Sequence, residues 1–199
     1  MNRVILSAST DETILAVTRQ HKLVDLEIEQ QINTEIVGCI YKGVVKNIVP
    51  AVDGIFVDIG IGKNAFLRRK DLLNEKRFPT EGSPILAQVI KSDTDMKGAL
   101  ITEKISMFGK YAVTLSGTGY IGVSKKIRQE SVRKKLKEIG KEICAEHMGL
   151  IIRTAAENAD MDEFRKDITR LKENWDIIQK RFRMEKSPTL LYRESDIIV

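Results

Sequence analysis

The stretch "CIYKGVVKNIVPAVDGIFVDIGIGKNAFLRR", residues 39–69, holds three short runs rich in β-branched and aromatic residues. Turn signals separate them: Pro50, Asp53-Gly54, and Gly60 to Gly62. Two more runs follow, "ILAQVIKSD" at 85–93 and "GALITEK" at 98–104, bounded by Gly82-Ser83-Pro84 and by Asp95 to Gly98. Short strands punctuated in this way read as β-structure. Five of them in about 70 residues predict a small closed barrel of the OB type.

Within this stretch the alternation is clear but its sense is not. Phe56 points away from the face of Ile55 and Val57, and Phe66 away from Leu67. Both faces carry apolar side chains, so the two rings read either as barrel core or as an outer platform. A barrel of this type stacks nucleic-acid bases on exposed rings, at ~1–3 kcal/mol per base. Lys42, Lys46, Arg68, Arg69 and Lys97 are the nearby candidates for phosphate contacts.

The flanks have a different texture. Upstream, "RVILSAS", "ETILAVTRQ" and "KLVDLEIEQ" predict a strand meander over residues 3–30, broken at Thr10-Asp11 and at Gln20-His21-Lys22. Such a meander exposes its edges and needs partners. A polar connection follows over 31–38.

Downstream, Val132, Leu136, Ile139 and Ile143 form one helical stripe, and "MGLIIRTAAE" at 148–157 reads as a buried strand. Phe164, Ile168, Leu171, Trp175, Ile178 and Phe182 mark a second helix over 162–182, with Asp160 and Glu163 as its D-x-x-E capping box. "SPTLLYRESDIIV" at 187–199 is a strand pattern without a stop signal. The class is α+β, with an all-β module embedded between flanks and an αβ layer after it.

Composition narrows the function classes. The chain of 199 residues is 42% hydrophobic, enough for a real core. No apolar run approaches the ~20 residues that span a bilayer, and the first dozen residues lack a signal-peptide pattern, so a cytoplasmic protein is the default expectation. Cys39 and Cys144 stand far apart, and only His21 and His147 are present, which is little material for a zinc knuckle or a catalytic triad.

The net charge is +5, and its distribution is uneven. Between Ser124 and Lys141, eight basic residues (Lys125, Lys126, Arg128, Arg133, Lys134, Lys135, Lys137, Lys141) face two acids, Glu130 and Glu138. That run reads as a solvated helix face or as phosphate steering.

Arg153-Thr154 at a strand end offers a forked guanidinium beside a hydroxyl, a pair suited to phosphate. On the residues alone, an ion pair with a nearby carboxylate is the blander alternative. Asp93 with Asp95, and Asp160 with Asp162 and Glu163, are the closest acidic groupings. The first sits in a turn signature, and the second suits a helix cap and the helix dipole. Neither GxxxxGK[ST] nor GxSxG occurs. By its residues the chain binds and does not obviously catalyse.

Several segments together resemble one family. "IYKGVVKNIVPAVDGIFVDIGIGKNAFL" is similar to the S-one RNA-binding domain of the bacterial endoribonucleases RNase E and RNase G. The resemblance continues in order through "KGALITEKIS", "GKYAVTL", "GVSKKI", "MGLIIRTAAENA", "LKENWDII" and "YRESDIIV". It implies opening strands of an RNase H-like subdomain at 1–34, the inserted OB-fold domain at 35–103, and a five-prime sensor at 104–199.

By that resemblance Phe56, Phe66 and Lys97 contact RNA. Gly109 and Val113 line the site of the terminal nucleotide, and Arg153 with Thr154 grips its 5′-monophosphate. Ile59 and Asn64 depart from the family pattern, and the family's "SRRI" reads "SKKI" at 124–127.

No catalytic or metal-binding residue is expected in this chain. The magnesium-binding acids and the zinc-binding cysteines of the family would lie beyond residue 199, so the resemblance implies an N-terminal recognition part of a magnesium-dependent endoribonuclease. Homo-oligomers are expected only of the whole enzyme. The expected partner is single-stranded RNA with a 5′-monophosphate. The alternatives are a natural non-catalytic RNA-binding regulator and, more remotely, a nuclease using Asp93 and Asp95.

Overall fold

A computed structural model describes residues 2–8, 12–20, 22–30, 36–76, 78–94, 96–144 and 148–193. The turn read at Thr10-Asp11, residues 31–35 of the polar connection, Asp95, and the last strand pattern after Arg193 lie outside the described residues. Contacts divide the chain into two compact units, one within the first 36 residues and the other Val37–Arg193.

The first unit is an antiparallel meander of β1 (Asn2–Ala8), β2 (Glu12–Arg19) and β3 (Lys22–Gln30). Val4 pairs with Val17 and Ile14 with Ile28. Gln20 takes a left-handed φ of 49° next to the Arg19–Lys22 pair that ends the second hairpin, and His21 of the turn read there lies outside the described residues. Val4, Ile5, Leu6, Leu23, Val24 and Leu26 are all exposed, on both faces of the meander.

The second unit opens with a closed five-stranded barrel. Its strands are β4 (Ile40–Val49), β5 (Gly54–Asp58), β6 (Ala65–Arg68), β7 (Pro84–Lys91) and β8 (Leu100–Thr102). They run β4-β5-β6-β8-β7, and β7 pairs back onto β4 to close the ring. β6 and β8 are parallel, and the other pairings are antiparallel. These are the five strands expected from the turn spacing, in an α+β chain. Closure gives each of the five barrel strands a partner on both sides. Val45, Ile55, Val57, Ala65, Leu67, Val89 and Ile101, each at 0–1% exposure, fill the interior.

The αβ layer is a small sheet backed by helices. β9 (Ala112–Ser116) pairs antiparallel with β11 (Met148–Ile152), and β10 (Ile121–Val123) pairs parallel with β11 across the crossover helix α1 (Glu130–Ile143). α2 (Met161–Met184) follows, and β12 (Thr189–Tyr192) returns to pair with β4. Phe164, Ile168, Leu171 and Ile178 from α2 meet Leu136 and Ile139 from α1 in one core. Both helical stripes therefore face inward, as their spacing requires. Asp160 caps α2 by accepting from the N–H groups of Asp162 and Glu163.

The barrel and the αβ layer share strand β4 and a buried lysine. Ile40 of β4 belongs to the αβ core. Lys42, only 9% exposed, sends its ammonium across to the end of α2 and donates to the carbonyls of Phe182 and Glu185, at 2.6 Å each. A cation on the last carbonyls satisfies orphan acceptors and suits the helix dipole. Lys42 is thus a helix cap, not the phosphate contact suggested by its place among basic strand residues. Lys42→Met keeps the aliphatic stem but removes the donor, and should lower stability by about 1.5–3 kcal/mol. An unchanged urea midpoint would contradict the capping role.

Candidate nucleic-acid interface

Strands β5 and β6 settle which face Phe56 and Phe66 occupy. Ile55, Val57, Ala65 and Leu67 are fully buried, whereas the two phenylalanines between them stay half-buried. Phe56 and Phe66 are direct cross-strand partners, with ring centroids 5.4 Å apart and planes tilted by 47°. The Phe66 ring lies over Gly54, where any Cβ would come within 2.4 Å of it. Glycine at 54 therefore leaves room for the ring. The result is a two-ring platform on the outer surface of the barrel.

Lys97 is exposed in the turn between β7 and β8, where Thr94 and Lys97 exchange backbone hydrogen bonds. That turn runs into Ala99, whose carbonyl accepts from the Phe66 N–H at 2.7 Å, so the lysine emerges beside the strand that carries the ring.

The other cations are engaged. Arg68 pairs with Asp71, Arg69 with Asp53 at 2.5 Å, and Lys46 with Asp58 at 3.3 Å. The Arg69 guanidinium also stacks 3.8 Å from the Phe78 ring centre. Half-exposed pairs of this kind contribute roughly 0–1 kcal/mol each, so a phosphate can compete for these cations.

A second cluster forms where β9 meets β11. Phe108 bridges to Val113, and the Gly109 N–H donates to the Ala112 carbonyl, which folds 109–111 into a tight loop. Ala112 pairs with Ile152, so the chain leaving β11 passes this loop at Arg153. There the Arg153 N–H donates to the Tyr111 carbonyl at 2.8 Å, and its Nη1 donates to the Gly109 carbonyl at 2.9 Å. Gly109, Val113, Arg153 and Thr154, up to 45 positions apart in the chain, come together on one edge. Arg153 and Thr154 are exposed, Val113 is half-buried and Gly109 is buried. The bland alternative for Arg153, a carboxylate partner, is replaced by a backbone carbonyl.

Three residues that the sequence reading did not single out as site residues support this loop. Asp167, 8% exposed, accepts from the N–H of Lys110 at 3.2 Å and of Tyr111 at 2.8 Å. Tyr111 packs edge-on against Phe164, and its hydroxyl donates to Glu163 at 2.5 Å, with Lys110 3.1 Å from the same carboxylate. The Tyr111 hydroxyl and then Lys110 hold the Glu163 carboxyl below the usual carboxylate range. Glu163 thus faces the loop, while the Asp160 side of the capping box is made. A signal for Asp167 was present: an acid at the i+3 position from Phe164, beside Ile168, inside an apolar stripe.

The basic run at 124–141 divides. Arg133 is structural, donating to the carbonyls of Ser124 and Ile127 at 2.7 and 2.9 Å. The exposed Lys134, Lys135, Lys137 and Lys141 share the surface of α1 with Glu130, Glu138 and Glu142, and Glu142 pairs with Arg165 at 3.0 Å. The helix face is nearly balanced in charge. Three of the run's eight cations sit in the preceding turn, at Lys125, Lys126 and Arg128.

No group of three or more His, Cys, Asp or Glu side chains that could hold a metal occurs among the described residues. Asp93 is exposed, and Asp95 lies outside the described residues. Cys39 is a core residue at 1% exposure. Burial pushes the Cys144 thiol up to about 11, which leaves it protonated and a poor metal ligand at neutral pH. Among the described residues, no helix is long and apolar enough to cross a membrane.

Comparison with known proteins finds two family matches along the chain. Residues 34–102 match the S1 RNA binding domain, an OB fold, and residues 106–199 match the Ribonuclease E/G family. Ribonuclease G of Escherichia coli is 33% identical over 208 residues, covering 96% of this chain and 42% of that protein. Ribonuclease E of Buchnera aphidicola is 31% identical over 216 residues, covering 100% of this chain and 22% of that protein. Ribonuclease E of Synechocystis is 33% identical over 182 residues, covering 86% and 27%. The chain thus spans less than half the length of these relatives.

Proposed function

This chain carries an S1 RNA binding domain followed by a ribonuclease E/G family domain, and from that premise we propose that it is the substrate-recognition part of an RNase E/G-type endoribonuclease of RNA processing and decay. The barrel holds single-stranded RNA by stacking bases on Phe56 and Phe66, with Lys97 on the backbone. The αβ layer reads the 5′-end. Arg153 and Thr154 take the 5′-monophosphate, and Gly109 with Val113 lines the place of the terminal nucleotide.

The observation that carries this reading is the pair of rings opposed at 5.4 Å on the outer face of an RNA-binding barrel. Rings on that face present π-surfaces to any base, so binding tolerates sequence variation. For the 5′-end, the support is the anchored guanidinium. With Nη1 held on the Gly109 carbonyl, the group is oriented before substrate arrives. Its remaining nitrogens supply the forked donors that match a phosphate, and the Thr154 hydroxyl adds another.

Two versions of one single-stranded RNA, ending in 5′-monophosphate or 5′-hydroxyl, test the end-recognition half. The wild-type chain should prefer the monophosphate, and Arg153→Ala should erase that preference, a loss of about 1.5–3 kcal/mol. Equal affinity of the wild type for both RNAs would remove the end-recognition reading. A preference that survives Arg153→Ala would remove Arg153 from it.

A further inference from the structure

We propose that Asp167, on α2, is the positioning residue of the 5′-end site: its carboxylate orients the Gly109–Lys110 peptide, whose carbonyl in turn aims the Arg153 guanidinium. The inference rests on the end-recognition reading above and assigns that site a residue which touches no RNA.

The chain of contacts is short. Oδ1 of Asp167 accepts from the Lys110 N–H at 3.2 Å, and Oδ2 accepts from the Tyr111 N–H at 2.8 Å. Oδ1 also meets Nη2 of Arg170 at 3.3 Å, which offsets the charge of a carboxylate whose side chain is only 7% exposed. Two successive amides converging on one anion form a concavity of the sort that elsewhere binds phosphate. Here the fold fills it from within.

The peptide plane transmits the effect. A trans peptide is planar, and its N–H and C=O point in opposite directions. The Lys110 N–H and the Gly109 C=O belong to the same peptide. Holding the N–H on Asp167 therefore turns the carbonyl away from α2, and that carbonyl accepts Nη1 of Arg153 at 2.9 Å. The Tyr111 carbonyl accepts the Arg153 main-chain N–H at 2.8 Å, so the loop is held on both sides.

Gly109 acquires a second reason to be glycine. A Cβ there would lie 2.6 Å from Oδ2 and 2.8 Å from Oδ1 of Asp167. The close approach of the carboxylate, as well as that of a nucleotide, excludes a side chain.

Asp167→Asn tests the idea in the full chain. The carboxamide keeps the size but turns a donor toward one of the two amides, which frees the 109–110 peptide to rotate. The ratio of affinities for 5′-monophosphate over 5′-hydroxyl RNA should fall about tenfold, while the affinity for 5′-hydroxyl RNA, held by the barrel, stays within about twofold. A residue that merely stabilises the fold would move both RNAs together.

If the wild type discriminates and Asp167→Asn discriminates equally well, the proposal is overturned and end recognition stands. If the wild type does not discriminate, end recognition itself fails and the proposal falls with it. Should Asp167→Asn not fold, amide hydrogen exchange of the wild type decides. Slow exchange at Lys110 and Tyr111 supports the proposal, and exchange at the rate of an open loop overturns it.

Discussion

Phe164→Ala is expected to lower the unfolding free energy by about 3–5 kcal/mol. Phe164 has no exposed surface and is the largest fully buried side chain of the chain's described residues. It sits in the first turn of α2 and packs with Ile168 and Leu171 against the sheet of β9, β10 and β11. Truncation leaves a cavity walled by two elements, helix and sheet, that relax only in part. Loss of transfer free energy and loss of packing then add.

The same substitution removes the ring against which Tyr111 stands edge-on, with centroids 6.3 Å apart. Tyr111 lies in the loop that anchors Arg153, so end selectivity should weaken along with stability. Urea denaturation measures the first effect and paired RNA titrations the second. A stability loss under about 1 kcal/mol would mean that the cavity collapses and that the core is less rigid than its burial suggests.

The second large effect is on binding. Phe56→Ala and Phe66→Ala should each weaken single-stranded RNA by ~1–3 kcal/mol, whatever the RNA sequence. The double variant should fall short of the sum, because rings in contact are not independent sites. Stability should change less than binding, since Ile55, Val57, Ala65 and Leu67 hold the barrel interior without either ring. Phe66→Ala should cost more stability than Phe56→Ala, because its ring covers Gly54. A 5′-hydroxyl RNA isolates the barrel's share in a titration. Unchanged affinity in the double variant would sink the stacking platform.

The strands and helices were legible because their signals are local and periodic. Apolar spacing of 4, 3, 4 along α1 and α2 and the turn residues around β5 and β6 depend on neighbours a few positions away. The barrel followed from the count and the punctuation of strands. Lys42 and Asp167 were misread or passed over because their meaning lies in distant partners. Lys42 caps a helix 140 residues further on, and Asp167 holds amides 56 and 57 positions before it. A lysine among strand residues and an acid in a helix look the same in sequence whether they face water or a backbone group.

Period-two alternation in the sequence already set Phe56 opposite Ile55 and Val57, and Phe66 opposite Leu67, within their own strands. The sequence also determined, through an ordered resemblance, which residues to suspect at the 5′-end site. That the two rings share a face, and that this face is outside, came from the fold: β5 and β6 pair Phe56 with Phe66, and closure of β7 onto β4 seals the opposite face, although both are apolar. Likewise, only the packing of α2 under the 109–111 loop brings Gly109, Asp167 and Arg153 together. Hydrophobic periodicity carries no information about which helix a loop will meet, and that meeting is what aims the arginine.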